Sequence, residues 1–393
     1  MFLNSNDPKE CYGCKACSNV CPKEAISFQI CKDTFSYPNI NKKLCINCGA
    51  CMRVCPFHEI ELSEPRICFA AVSKNNEDWE HSSSGGAFKV LASVAWERCQ
   101  LDKKDFFLCA CDWDSSFNAV HKIERVTNIS QIEQYCKSKY VQSNTNEVYR
   151  KIKSILMDPK NVVMFVGTPC QVSGLKKYLQ GKVYNGNIIY IDLVCSGAPS
   201  QKIFDKYKAE LEKKENSKIK KFIFKNKEKL DNGTIYTRSA KIEFENNHSK
   251  MVTRYTDDYL KMFYTMPYHS RPSCYTCKFK NKNRIGDITI GDAWNIDKIY
   301  PNLNPFHGIS LLLFNSELGK AFIPYVKKEM DTYDCNYDFI VESNSGLRPR
   351  SGYTIPQKII DNFFSGIMND EKRFSECVEE YQAAINEYKL QNQ

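Results

Sequence analysis

The stretch that decides the fold is CYGCKACSNVCP at residues 11–22, because it returns as CINCGACMRVCP at residues 45–56. Cys11, Cys14, Cys17 and Cys21 recur as Cys45, Cys48, Cys51 and Cys55 at a single offset of 34. Each set ends in a proline, Pro22 or Pro56, and runs into a similar tail, KEAISF or FHEIEL. This is an internal duplication. Three cysteines two apart let one loop cover three corners of a four-iron cubane, while the fourth, ahead of proline, lies too far along and reaches the other cluster. Cys11, Cys14, Cys17 and Cys55 are therefore expected to hold one [4Fe-4S] cluster, and Cys45, Cys48, Cys51 and Cys21 a second.

In this pattern residues 1–62 resemble the bacterial two-cluster ferredoxins, and a ferredoxin-like βαββαβ domain is expected over 1–63. A pair of structural zinc sites is the alternative, although zinc usually takes two Cys-x-x-Cys pairs set apart by a longer loop. The 393 residues contain 20 cysteines. In a small secreted domain that number would mean disulfides. Here the start, MFLNSNDPKEC, has no basic segment leading into an apolar stretch, so no secretory signal is read. Metal ligation in a cytoplasmic location is expected instead. Apolar residues make up 42% and the mean hydropathy is −0.49. Apolar runs such as Val162–Val166 and Ile309–Phe314 are strand-sized, so no membrane contact is expected. The formal charge of +9 does not by itself point to nucleic acid. Each cluster with four thiolates carries about −2, so the lysine excess balances bound cofactors or steers an acidic redox partner.

Glu64, Pro65 and Arg66 read as a linker, and a larger mixed α/β body follows, giving an α+β chain overall. Val162–Gly167, Thr168-Pro169-Cys170-Gln171 with Val172–Leu179, and Ile188–Val194 read as strand, capped helix and strand. Such a βαβ unit makes its two strands parallel, so Cys170 and Cys195 are expected at the carboxyl edge of the sheet, where open α/β sheets place their sites. Cys274 and Cys277 add a Cys-x-x-Cys pair just ahead of a short strand within Gly286–Asp292. Four thiolates in tetrahedral arrangement mean zinc or iron–sulfur, and spacing alone leaves both open. Cys170, at a helix start, also fits a reactive thiol. Cys31, Cys68, Cys99, Cys109, Cys111, Cys136, Cys335 and Cys377 have no ligand spacing and read as buried small hydrophobes.

His81-Ser82-Ser83-Ser84-Gly85-Gly86-Ala87 precedes an amphipathic helix with apolar residues at 88, 91, 92 and 95. A helix start presents free N–H groups suited to a phosphate or a flavin edge, but from these residues alone a plain capping turn is the default reading. No Gly-x-Gly-x-x-Gly follows a strand, so a Rossmann dinucleotide domain is not indicated. The lysine-rich 213–229 segment reads as one arm of a hairpin with a solvated basic face, turning through Asp231-Asn232-Gly233-Thr234 into Ile235–Phe244. Residues 370–390 form an amphipathic helix that packs on its own domain or, as the alternative, supports a homo-oligomer. The six histidines show no metal spacing.

Taken in order, several elements resemble the beta subunit of coenzyme F-420-reducing hydrogenase and dehydrogenase and its bacterial relatives. They are Ser82–Gly86, Ser138-Lys139-Tyr140-Val141-Gln142-Ser143, Gly167-Thr168-Pro169-Cys170-Gln171, Cys195, Phe224-Lys225-Asn226-Lys227, Arg271-Pro272-Ser273-Cys274-Tyr275-Thr276-Cys277, Gly286–Ile288 with Gly291-Asp292, and Gly308-Ile309-Ser310. The resemblance covers about 66–350. It implies FAD beside a third [4Fe-4S] cluster, with Cys170, Cys195, Cys274 and Cys277 as its ligands. It also implies that Ser83, Ser84, Gly85, Gly86, Lys139, Thr168, Asp292, Gly308 and Ser310 lie near the flavin. The chain departs from the family at Lys137 and at Asn295, where glycine is common, and at Lys225, where arginine is common. We therefore expect a first domain at 1–63, an N-terminal part of the family-like body at 66–150, a C-terminal part with third cluster and flavin at 151–350, and a helical tail at 351–393. The expected activity is flavin- and iron–sulfur-dependent oxidoreduction between a ferredoxin or another redox protein and a small organic substrate. An electron-transfer subunit feeding a partner enzyme is the first alternative, and a zinc-bearing scaffold or nucleic-acid-binding protein the second. No catalytic acid is assigned; Lys139, His307 and Asp292 qualify by character alone.

Overall fold

Proline and glycine punctuation breaks the chain into short elements, and in a computed structural model the described residues form thirteen strands in three sheets. The structure describes residues 1–58, 61–64, 67–180, 187–230, 233–349 and 354–392. Parts of the second ferredoxin tail, the linker, the 231–234 turn and the start of the C-terminal segment lie outside the described residues. The strands are β1 Ile26–Ile30, β2 Ser36–Ile40, β3 Ile67–Ser73, β4 Asp105–Trp113, β5 Ala119–Arg125, β6 Asn161–Gly167, β7 Ile188–Leu193, β8 Ile219–Phe224, β9 Ser239–Phe244, β10 Ser249–Thr253, β11 Ile288–Asp292, β12 Ser310–Phe314 and β13 Met330–Asp334.

The N-terminal region meets the expected βαββαβ order only in its middle. Helix Ala16–Val20, the antiparallel pair β1–β2 and helix Ala50–Arg53 follow one another. In place of a first strand, Phe2–Ser5 winds into a helical turn. The cause is local: the N-terminal ammonium and the Ser5 hydroxyl both bond the Glu10 carboxylate at 2.5 Å, closing the segment on itself. On the other side, Ser63 pairs with Arg284 of the body.

The body is built on one eight-stranded sheet in the order β13-β3-β12-β11-β7-β6-β4-β5, taking strands from both sides of residue 150. Its centre is parallel, since β11 pairs with β7, β7 with β6 and β6 with β4 in that sense. The strands on either side of it are antiparallel. The βαβ reading holds, with helix Pro169–Leu179 starting directly after Thr168. β6 is buried along almost its whole length, as a central strand covered on both faces must be. One face packs against helix Ala87–Leu101 through Val90, Leu91 and Val94; the other packs against helix Pro169–Leu179 and helix Val148–Ile155 through Val172, Leu175 and Ile152.

A smaller sheet, β10-β9-β8, carries the lysine-rich segment. The expected hairpin forms, but its return strand starts at Ser239, with only Lys229 and Ile235 bridged before it among the described residues. Helix Phe374–Gln391 buries Phe374, Cys377, Val378, Tyr381 and Ile385. These join a core that also holds Phe204, Phe222, Tyr259 and, from the N-terminal region, Phe35 and Tyr37. The amphipathic face read from the sequence is thus used within the chain. Among the described residues no helix is long and apolar enough to cross a membrane.

Candidate functional site

Because β4, β6, β7 and β11 run parallel, their carboxyl ends share one edge of the sheet, and a cavity of about 590 Å³ opens there. Its wall takes Cys111 from the end of β4, Thr168 and Cys170 after β6, Cys195 after β7, and Asp292 at the end of β11. Cys274 and Cys277 complete it from the loop before β11. The four cysteines expected to act together therefore line one space. Burial pushes the Cys170 thiol up, and Cys277 and Cys195 add to the rise. Burial together with the same two neighbours drives Cys274 up to about 12. Buried thiols of this kind become thiolates only when a cation or cluster takes the charge. Among the described residues, no three or more His, Cys, Asp or Glu side chains could hold a single metal ion.

In the N-terminal region the repeat cysteines likewise crowd one another. Burial raises the Cys14 thiol, and Cys55, Cys17 and Cys11 each add to it. Burial likewise raises Cys51, with Cys21 and Cys45 adding there. The first set lies against the cavity. A Cβ on Gly174, in the helix that starts beside Cys170, would come 2.9 Å from Cys14 Sγ. Tyr12, buried at the cavity wall, feels Cys277, Cys170 and Cys274 together. Gln142 donates to the Tyr12 carbonyl at 2.9 Å, Ser273 to that of Cys11 at 2.8 Å, and Thr145 to that of Cys14 at 3.0 Å.

The residues expected near a flavin divide into two groups. Ser83, Ser84, Gly86, Lys139, Thr168, Asp292 and Ser310 line the cavity, while Gly85 and Gly308 do not. Gly85 is glycine because β3 and β12 crowd it: a Cβ would strike the Ala71 carbonyl oxygen and lie 2.6 Å from the Ser310 nitrogen. Gly308 has φ +86, and its Cβ would come 3.2 Å from Ser84 Cα, so it serves the packing behind the turn. Several lining groups are already engaged. Ser83 Oγ accepts from the Ser138 N–H at 2.7 Å, and Ser310 Oγ accepts from the Ala87 N–H at 3.3 Å. Lys139 donates to the carbonyls of Cys111 and Gln134 at 3.0 and 3.1 Å. Thr168 Oγ1 lies 3.2 Å from Cys170 Sγ. Asp292 is ion-paired with the buried Lys225 at 2.5 Å. His307 is not among the lining residues.

Two features bear on whether the residues fit a bound group. The buried hydroxyls of Ser82 and Ser84, both on the wall, have no partner, nor does Arg238 Nε. Lys137, Lys225 and Arg238 crowd the same wall. Burial, with Lys221 and Lys225 nearby, pushes Lys137 down to about 8. A largely apolar lining that carries cationic side chains and a few unpaired donors suits a ligand with an apolar body and anionic, hydrogen-bonding groups, and the volume is ordinary for such a site. Of the family departures, Lys137 and Lys225 face this space. Asn295 does not; it stands at φ 58, a conformation asparagine tolerates and glycine favours. Sequence reading missed Arg238, which stacks on Trp294 at 4.6 Å, and the Tyr140–Tyr264 hydroxyl pair at 3.0 Å. Arg238 follows the hairpin turn without any motif, so only the fold brings it to the cavity.

Residues 10–59 match a 4Fe-4S dicluster domain, and residues 37–89 match a second dicluster description. Residues 160–334 match the family described as the C terminus of the coenzyme F420 hydrogenase/dehydrogenase beta subunit. Among solved structures, the chain is similar to one from the F420-reducing [NiFe] hydrogenase complex of Methanosarcina barkeri, determined after xenon derivatization. The identity is 13% and the TM-score 0.45, over 80% of this chain and 98% of that one. No curated protein matches the chain. The repeated cysteine loops and the dicluster match define an iron–sulfur protein of the electron-transfer class. Residues 160–334 are similar to the C-terminal part of the coenzyme F420 hydrogenase/dehydrogenase beta subunit.

Proposed function

We propose that this chain is an iron–sulfur flavoprotein oxidoreductase in which the two N-terminal clusters exchange electrons with a redox protein and pass them through a third [4Fe-4S] cluster to FAD and a small organic substrate, or in reverse. The observation that carries the reading is the convergence of Cys170, Cys195, Cys274 and Cys277 with the unpartnered Ser82 and Ser84 hydroxyls on one cavity wall. Flavin exchanges single electrons with clusters and electron pairs with organic substrates, which is the chemistry required between them. The chain's own residues would do the rest. Ser82, Ser84 and Arg238 offer hydrogen bonds to the bound group, while Lys137 and Arg238 supply positive charge and Lys225 is held by Asp292. Lys139, tied to two carbonyls, holds the end of β4 against the 134–139 segment.

Anaerobic analysis of iron, sulfide and flavin in one preparation tests this. About 12 irons per chain are expected from three four-iron clusters, with one flavin. Cys170→Ser should lose about four irons and leave the N-terminal pair intact. A colourless protein containing zinc, or one holding about eight irons and no flavin, sinks the reading. The family description as a beta subunit favours a second reading, in which the chain only feeds a partner enzyme. Turnover of a small substrate by the isolated chain with chemical or ferredoxin electrons decides against it.

A further inference from the structure

The fold places one cation where a cluster needs it, and the proposed flavin chemistry does not use it. Arg271 is 2% exposed. Its guanidinium lies over Gly13, in the middle of the Cys11–Cys14 turn, so closely that a Cβ there would come 2.7 Å from Nη2. The rings of Phe35 and Tyr37 flank it, their centroids 4.9 and 4.8 Å from Cζ. Nε donates to Gln142 Oε1 at 2.9 Å and Nη2 to the Ser36 carbonyl at 3.1 Å. Nη1 is buried with no partner. Among the described residues no carboxylate forms an ion pair with this arginine; Asp33 receives the Tyr37 hydroxyl at 2.5 Å and feels the guanidinium only beyond ion-pair distance.

A buried guanidinium without a carboxylate is costly unless another anion faces it. The anion that the Cys11 loop would supply is the cluster itself, which with four thiolates carries about −2 when oxidised and one more negative charge when reduced. The sequence explains the position: Arg271 stands three residues before Cys274 and is joined to it by the Cys274 N–H bond to the Arg271 carbonyl at 2.8 Å.

We infer that Arg271 is a potential-setting residue for the cluster held by Cys11, Cys14, Cys17 and Cys55. Through its charge and its free Nη1 donor it favours the reduced state and makes electron flow from the outer cluster to this inner one downhill. Hydrogen bonds to sulfur and net charge are the levers by which a protein tunes such a cluster. The outer loop has an arginine of its own, Arg53, which donates to the Cys48 carbonyl at 3.0 Å and lies 3.3 Å from where a Cβ on Gly49 would stand, but it is exposed and water screens its charge. The inference needs only the two N-terminal clusters and holds whether or not the cavity binds flavin.

The test is a redox titration of the full chain, followed by electron paramagnetic resonance, with iron content measured on each sample. The inner signal is the one retained in Cys48→Ser and lost in Cys14→Ser. Arg271→Gln should lower the inner midpoint potential by at least the ~59 mV that corresponds to a tenfold change for one electron, leaving the outer potential in place. Arg271→Lys, which keeps the charge and loses the fork, should fall between. Unchanged potentials at wild-type iron content overturn the assignment. If either variant loses iron, wild-type protein labelled with 15N in its arginine side chains replaces it. Nitrogen modulation on the reduced inner cluster should then change from the 14N to the 15N pattern, and failure to change overturns the proposal. An iron count of about eight with the shift present would overturn the third cluster while leaving Arg271 its role.

Discussion

The two copies of the cysteine loop share a backbone and differ in what surrounds them. At matching positions both turn through the left-handed region: Gly13 and Asn47 at φ 70 and 52, Lys15 and Gly49 at φ 59 and 68. The first copy is then enclosed. Cys14 and Tyr12 are buried, and Arg271, Gln142, Ser273 and Thr145 reach its backbone from the body. The second copy faces water, with Cys48 exposed and Leu44 and Ile46 left 50% and 57% accessible. Duplication supplies ligand geometry twice, and docking then separates the roles. On the proposed function, the exposed copy meets the redox partner and the enclosed copy hands electrons inward.

The comparison breaks most visibly at the ligands. Cys48→Ser should lose about four irons and leave the body and its docking untouched. Cys14→Ser should lose as many and also free the N-terminal region, because Cys14 packs against Gly174 and beneath Tyr149. Iron analysis paired with limited proteolysis across the 1–63 boundary reads both outcomes. Equal protease resistance in the two variants would show that the enclosed copy is not what holds the region in place.

A smaller effect is expected at the clamp. Arg150 donates to the carbonyls of Asn19, Ser18 and Cys21 at 2.7, 3.0 and 3.3 Å and to Glu24 at 2.8 Å, all from the body to the end of the first loop. Arg150→Ala should cost about 2–4 kcal/mol in urea unfolding, at roughly 1 kcal/mol for each bond of this kind. Arg53→Ala, which removes one bond within the outer loop, should cost less than about 1 kcal/mol. Similar losses for the two would remove the claimed asymmetry.

Much of this is legible in the sequence alone. The offset of 34 carries the crossed cysteine sets, and the strand–helix–strand spacing around Thr168 carries the shared edge where Cys170 and Cys195 stand. What is not legible depends on long-range contact. Arg271 sits in a recognisable Arg-Pro-Ser-Cys stretch, but nothing local says that its side chain crosses to Gly13. Gly85 and Gly308 read as part of a cradle because a glycine beside a serine turn looks the same whether a ligand or a strand excludes its Cβ; at Gly85 the strands do, and at Gly308 the serine turn itself does. The first ferredoxin strand fails for a similar reason, since Glu10 pulls both the N-terminus and Ser5 back onto itself.

The finest test compares two residues in equivalent left-handed turns. Alanine at either position costs about 1 kcal/mol for its positive φ, because a Cβ disfavours that region. At Asn47 the outer loop faces solvent, so Asn47→Ala should lower stability by no more than that. At Gly13 the new methyl meets the Arg271 guanidinium at 2.7 Å and Cζ at 2.9 Å, and neither the stacked rings nor the Gln142 bond lets the arginine retreat. Gly13→Ala should therefore cost about 1–2 kcal/mol more than Asn47→Ala, as overpacking does in an enclosed site. It should also shift the inner cluster's potential, since the new methyl pushes the loop away from the fixed guanidinium. Equal losses in denaturant, with both potentials unmoved, would mean that the guanidinium does not press on this turn and that the two loops differ in exposure alone.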